Sequence, residues 1–191
     1  MIENTRSVPL RAGRNRTRDR LCSIMIEVIF MPHSIGMGMI GTNKLADRIL
    51  DGVLKNNVVP AKNIHIAEKD ERRRARYLGL GIDCMPDVSA SVLRSEIMML
   101  FGEKQEFSTL LSSICGTTRG RVLVSTIPGR DCAYIQDRVA KATNVVTVES
   151  EDRGDGVHVS RLTYSTRFPN HMKSAVEDIF RTIGEVETVQ L

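Results

Sequence analysis

From about Ile35 the chain alternates between short apolar strands and helices, and that alternation limits its architecture more than any other feature. Ser34–Gly41 (SIGMGMIG) is an apolar strand running into glycine. Asn43–Asn56 follows with Leu45, Ile49, Gly52 and Val53 at helical spacing, Ala46 and Leu50 widening the stripe, and Asn57 and Pro60 breaking it. Asn63–Glu68 (NIHIAE) alternates as a strand does, Lys69–Leu80 is a charged helix stopped by Gly79 and Gly81, and Ile82–Met85 is a short strand. Asp87 is the expected N-cap of a helix ending near Arg94. Then come the fully apolar Glu96–Phe101, a helix over Gln105–Cys115, the strand Arg121–Ser125, a helix over Asp131–Thr143 and the strand Asn144–Glu149. After that the pattern changes. Val157–Tyr164 and Glu185–Leu191 alternate like half-exposed strands on either side of an amphipathic helix, Asn170–Ile183. The expected fold is therefore α/β: a Rossmann-type three-layer domain with a mainly parallel sheet and antiparallel edge strands at its C-terminal end.

Charge is unevenly spread. The 191 residues carry 27 Lys and Arg against 23 Asp and Glu, a net +4. Arg6, Arg11, Arg14, Arg16, Arg18 and Arg20 face only Glu3 and Asp19 in the first twenty residues, so that segment holds the whole excess and the remainder is formally neutral. Residues 1–23 have no apolar periodicity and stand apart as a basic N-terminal arm, a targeting segment, or sequence read from a start codon upstream of Met25. Residues 24–191 form the expected Rossmann-type domain. A mitochondrial location follows from the Arg-rich, Ser-containing arm, with the cytoplasm as the alternative, and the same arginines are suited to RNA contact. No apolar run approaches the ~20 residues of a membrane span.

Catalytic constellations are missing from the sequence. Cys22, Cys84, Cys115 and Cys132 are far apart with no C-x-x-C pair, which argues against a zinc site or disulfide framework and fits a reducing compartment. His33, His65, His158 and His171 are scattered, and Ser125 and Ser150 lie outside any G-x-S-x-G elbow. No catalytic residue and no metal ligand is assigned.

Gly38–Leu54 (GMIGTNKLADRILDGVL) resembles the opening of the pyrroline-5-carboxylate reductases, where a G-F-I-G strand enters a glycine-rich turn. The likeness continues in register through Val58–Ala67 (VVPAKNIHIA), Ser95–Leu100 with Gln105, Ser125–Gly129 (STIPG) and Ile179–Thr188 (IFRTIGEVET), so it covers roughly residues 35–189. The resemblance implies the family's N-terminal dinucleotide-binding domain, with Leu191 falling where its helical dimerisation domain would begin.

It also implies where a cofactor would sit. The turn Gly41, Thr42, Asn43 and Lys44 would meet the pyrophosphate. Glu68 would meet a ribose 2′-hydroxyl, and Lys69 and Arg72, with Arg73, a 2′-phosphate. Three departures weaken that site. Asn43 replaces the second glycine of the turn, although asparagine tolerates the positive φ a glycine would adopt there. Glu103 stands in place of a lysine, and the acids Glu149, Glu151 and Asp152 replace a turn after the sixth strand. The expectation is no cofactor or only weak NAD(P) binding. The favoured function is a non-catalytic, reductase-derived domain, a structural or accessory subunit contacting protein partners in a larger assembly. The alternative is an NAD(P)-dependent oxidoreductase related to pyrroline-5-carboxylate reductase, of the kind that serves proline biosynthesis.

Overall fold

The computed structural model describes residues 35–154 and 157–190. The basic arm, residues 1–23, lies outside them. The elements are β1 (Met37–Ile40), α1 (Lys44–Lys55), β2 (Ile64–Ala67), α2 (Glu71–Gly79), β3 (Asp83–Met85), α3 (Ala90–Arg94) and β4 (Ile97–Leu100). They continue with α4 (Phe107–Ser112), β5 (Val122–Ser125), α5 (Cys132–Gln136), β6 (Asn144–Asp152), β7 (His158–Tyr164), α6 (Asn170–Arg181) and β8 (Glu185–Gln190). All eight strands form one sheet in the order β3-β2-β1-β4-β5-β6-β7-β8. The first six are parallel, β7 runs antiparallel to β6, and β8 runs parallel to β7. This is the Rossmann-type sheet with reversed edge strands that the alternation predicts.

The strands are short and apolar because helices cover both sheet faces. β1, β4 and β5 are buried along their whole length. On one face α1, α2 and α6 contribute Ile49, Leu50, Tyr77, Ile179 and Phe180 to the core. On the other, α3, α4 and α5 contribute Val92, Phe107, Leu111, Cys132 and Ile135. α1 buries Ala46, Ile49, Leu50 and Val53, the i, i+3, i+4, i+7 stripe of an amphipathic helix. It ends where Asn57 takes a left-handed φ of 52° ahead of Pro60.

Local chemistry moves several boundaries. The helix before β4 is capped by Ser89, whose Oγ accepts from the Val92 N–H at 3.4 Å, and not by Asp87. The helix expected over Asp131–Thr143 stops at Gln136. Beyond it Ala142 has a φ of 65° and the Thr143 hydroxyl donates to Thr118 at 2.8 Å, turning the chain into β6. α4 is likewise shorter than Gln105–Cys115. β6, by contrast, outruns Glu149 and reaches Asp152, because it pairs with β7 from Val146↔Tyr164 to Asp152↔His158.

That hairpin is clasped to α1. An Arg48 Nη1 donates to Asp152 Oδ1 at 2.6 Å and lies 2.7 Å from Nδ1 of the nearly buried His158, which is itself 2.7 Å from Asp152. The Arg48 bond, and after it the His158 bond, holds the exposed Asp152 carboxyl below its ordinary value of 3.8. A lowered folded-state pKa contributes stability that is complete above 3.8 and lost as pH falls through the lowered value. Thermal melts should therefore show wild type ahead of Asp152→Asn at neutral pH, with the two converging on acidification. An advantage that is constant or grows toward low pH would contradict the clasp.

Candidate functional site

The parallel strands reverse order between β1 and β4, leaving a crevice beyond their C-terminal ends, the general ligand position in sheets of this kind. The crevice has a volume of about 550 Å³. Its apolar wall includes Ile40, Ala67, Phe101 and Leu110, and its polar rim includes Thr42, Glu68, Lys69, Asp87 and Glu106. The β1–α1 turn is tight because Gly41 has a φ of 71° and donates its N–H to the Ala67 carbonyl at 3.0 Å. A Cβ at Gly41 would collide with the Phe101 carbonyl oxygen, so glycine is required by packing alone. Ala46 is fully buried, which keeps α1 close to the sheet.

Asn43 adopts a φ of −150°, so it does not use the positive-φ conformation that its residue type permits. It is the N-cap of α1. Its Oδ1 accepts the Ala46 N–H at 3.0 Å, one of the orphan helix donors that a phosphate group would otherwise meet. Asp47 adds a carboxylate to the first turn. It accepts from the Tyr77 hydroxyl at 2.7 Å and faces Arg76 at 3.3 Å and Arg73 at 3.9 Å. Burial first, then the Asp47 carboxylate, raises the Tyr77 hydroxyl to about 12.

The acidic end of β2 is equally self-contained. One Glu68 oxygen accepts from the Thr42 hydroxyl, and the other accepts the Asp70 N–H at 2.8 Å. Arg73 donates to Thr42 at 2.8 Å, and Arg74 donates to the carbonyls of Glu68 and Lys69. Of the sequence-predicted residues, Gly41, Thr42, Glu68 and Lys69 share the crevice wall. Asn43 caps the helix beside it, Lys44 is exposed at the start of α1, and Arg72 is exposed on α2. The Asp47–Tyr77–Arg76 bridge gave no signal in the sequence, because it depends on α1 and α2 lying side by side.

The charge pattern differs from the sequence expectation in two places. Asp152 is bonded to Arg48, and Glu149 lies 3.7 Å from Arg161, so two of the three acids after the sixth strand are neutralised by distant arginines. Glu103 accepts from Gln105, while the next residue, Lys104, carries its ammonium over Gly129 at the tip of β5. Among the described residues no three His, Cys, Asp or Glu side chains are grouped as metal ligands, and no helix is long and apolar enough to cross a membrane.

Fold and crevice together define a Rossmann-type α/β domain. Its likeness to known proteins is narrower: it has the fold of the N-terminal domain of the pyrroline-5-carboxylate reductases. A structure of that reductase from Coxiella burnetii superposes with a TM-score of 0.73 at 17% identity, over 82% of this chain and 59% of that one. The Plasmodium falciparum reductase with NADP bound gives 0.68 at 15% identity, over 81% and 57%. In sequence, the chain is 21% identical over 155 residues to pyrroline-5-carboxylate reductase of Pisum sativum, covering 80% of this chain and 56% of that protein. The chain thus spans little more than half the length of these relatives. No family model matches.

If the Asn43 side chain is the device that closes α1, Asn43→Ala should lower unfolding free energy by about 1 kcal/mol and Asn43→Ser by much less. Urea unfolding measures this directly. Neutral behaviour of the alanine variant would show that Asn43 is not stabilising the turn.

Proposed function

We propose that this chain is a reductase-derived Rossmann domain without catalytic activity of its own, acting as a structural or accessory subunit of a larger assembly. The observation that carries this proposal is the β1–α1 turn, where the Asn43 side chain takes the Ala46 donor. The same N–H is one of the donors a helix N-terminus offers to a diphosphate, and the neighbouring Thr42, Glu68 and Arg73 are already bonded to one another. The crevice has the position and shape of a nucleotide site, but Thr42, Asn43, Glu68 and Arg73 around it have partners within the chain. A Rossmann sheet buried on both faces is a stable body on which other contacts can be built, and fold alone does not carry the ancestral activity. The six arginines of the first twenty residues support a partner-binding or mitochondrial-targeting role for that segment, RNA being one partner suited to them.

One feature favours the second proposal, an NAD(P)-dependent reductase completed by another chain: the roughly 550 Å³ crevice and the Gly41 turn persist. Calorimetric titration with NADH and NADPH separates the two. The non-catalytic domain should show no saturable binding below about 1 mM, a free energy weaker than about −4 kcal/mol, and no oxidation of either nucleotide with pyrroline-5-carboxylate. Binding tighter than about 10 μM, roughly −7 kcal/mol, would overturn the proposal in favour of the reductase.

A further inference from the structure

The end of the sheet opposite the crevice holds a second cavity, of about 300 Å³, at the lower end of the range of small-molecule pockets. Strand register builds it. Met37 pairs with Ile64 on one side and with Ile97 on the other. The residues just before these three, Gly36, Asn63 and Glu96, therefore stand in a row at the N-terminal edge of β1, β2 and β4, and all three line the cavity. Gly36 is the middle one and has no side chain. Two strand spacings of about 4.8 Å thus separate the backbones of Asn63 and Glu96, with open floor between them. Glu96 leans over that floor: its Oε2 accepts the Gly36 N–H at 2.6 Å, and a Cβ at Gly36 would come within 2.8 Å of the same oxygen.

The remaining wall comes from β2 and the end of α3. His65 lies two residues beyond Asn63, and its Nδ1 is 3.1 Å from Asp83 Oδ2, which orients the ring. The end of α3 contributes Arg94 and Ser95. Arg121 donates to the carbonyls of both, which holds that end against the sheet. Two groups in this setting lack partners. Asn63 Nδ2 is buried and has no hydrogen-bond acceptor. A buried amide donor in that state costs free energy and implies a missing acceptor. Among the described residues, Arg94 has no carboxylate within ion-pair distance, although Glu96 is only two residues away. Charge around the cavity is mixed. Arg94, the carbonyl-bound Arg121 and the exposed Lys62 on the preceding turn stand against Glu96 and the His65-bound Asp83.

We infer that this cavity binds a small zwitterion of amino-acid size, its carboxylate meeting Arg94 and the Asn63 amide and its ammonium meeting Glu96. A ligand of one sign would face a like charge on one wall, whereas a zwitterion pairs with both. The guanidinium suits a carboxylate because it can bond both oxygens, and the buried Asn63 amide gains the acceptor it lacks. The site lies at the end of the strands away from the Gly41 turn and stands whether or not a dinucleotide binds in the crevice.

The test titrates glycine, L-serine and L-glutamine into the full chain at constant ionic strength, with sodium acetate and methylammonium chloride as single-charge controls. Thermal stability is one readout, because a ligand of the folded state raises Tm saturably. The other is the side-chain amide resonance of Asn63 in an isotopically labelled sample, assigned by its absence from Asn63→Ala. Expected is a saturable rise with at least one of the zwitterions, half-complete below about 1 mM, together with a shift of the Asn63 amide. Arg94→Gln and Glu96→Gln should each weaken binding by about tenfold or more. Asn63→Ala should lose the response without lowering the ligand-free Tm, since Nδ2 has no hydrogen bond to lose. Three results would overturn the site: no response to any zwitterion, an equal response to acetate or methylammonium, or a response that survives the charge variants and leaves the Asn63 amide unmoved.

Discussion

The N-terminus of α1 lies at the centre of this structure. Helix geometry leaves its first N–H groups without internal partners, and the turn that delivers them to the sheet crevice must be narrow. Gly41 makes the turn narrow because only hydrogen fits against the Phe101 carbonyl. Once the turn is built, those donors need acceptors, and a bound phosphate and a side chain of the chain itself are competing solutions. Here the side chain is present: Asn43 caps Ala46. The neighbouring polar groups follow the same pattern, with Thr42, Glu68 and Arg73 bonded to each other and Asp47 surrounded by Tyr77, Arg73 and Arg76. The turn is held by bonds made within the chain.

The rest of the molecule is organised around the eight-stranded sheet. β1, β4 and β5 are buried throughout and pair in register from Met37↔Ile97 to Leu100↔Ser125. β7 and β8 extend that sheet, and the Arg48–Asp152–His158 clasp ties the added hairpin back to α1. The two faces differ in electrostatics. Arginines on the α1–α2–α6 side are paired with carboxylates, whereas Arg130 and Arg138 on the other side share an aromatic ring.

Much of the fold was legible because each element carries its own signal. Ile97–Leu100 is apolar at every position as a strand covered on both faces must be, and Ala46, Ile49, Leu50 and Val53 repeat at the helical period. What was not legible depended on competition or distance. Asp87 and Ser89 are both capable caps, and backbone geometry selects Ser89. The turn into β6 after α5 is fixed by the Thr143 hydroxyl donating to Thr118, 25 residues away. Asn43 offered two conformations by residue type, and packing chose the extended one. The acids near the sixth strand read as a repulsive cluster until the fold placed Arg48 and Arg161 beside them. At the crevice, sequence located the residues, but their commitments to one another appear only in three dimensions.

α1 begins with an internally satisfied donor, and the amide resonance of Ala46 reports on it directly. In an isotopically labelled sample, this amide should exchange slowly with solvent and should not shift on addition of NADPH up to about 1 mM, a concentration that detects interactions of about −4 kcal/mol. In Asn43→Gly the same amide should lose its protection. A saturable NADPH-induced shift of the wild-type Ala46 amide at micromolar concentration would contradict the account, because it would place a phosphate where the structure places Asn43 Oδ1.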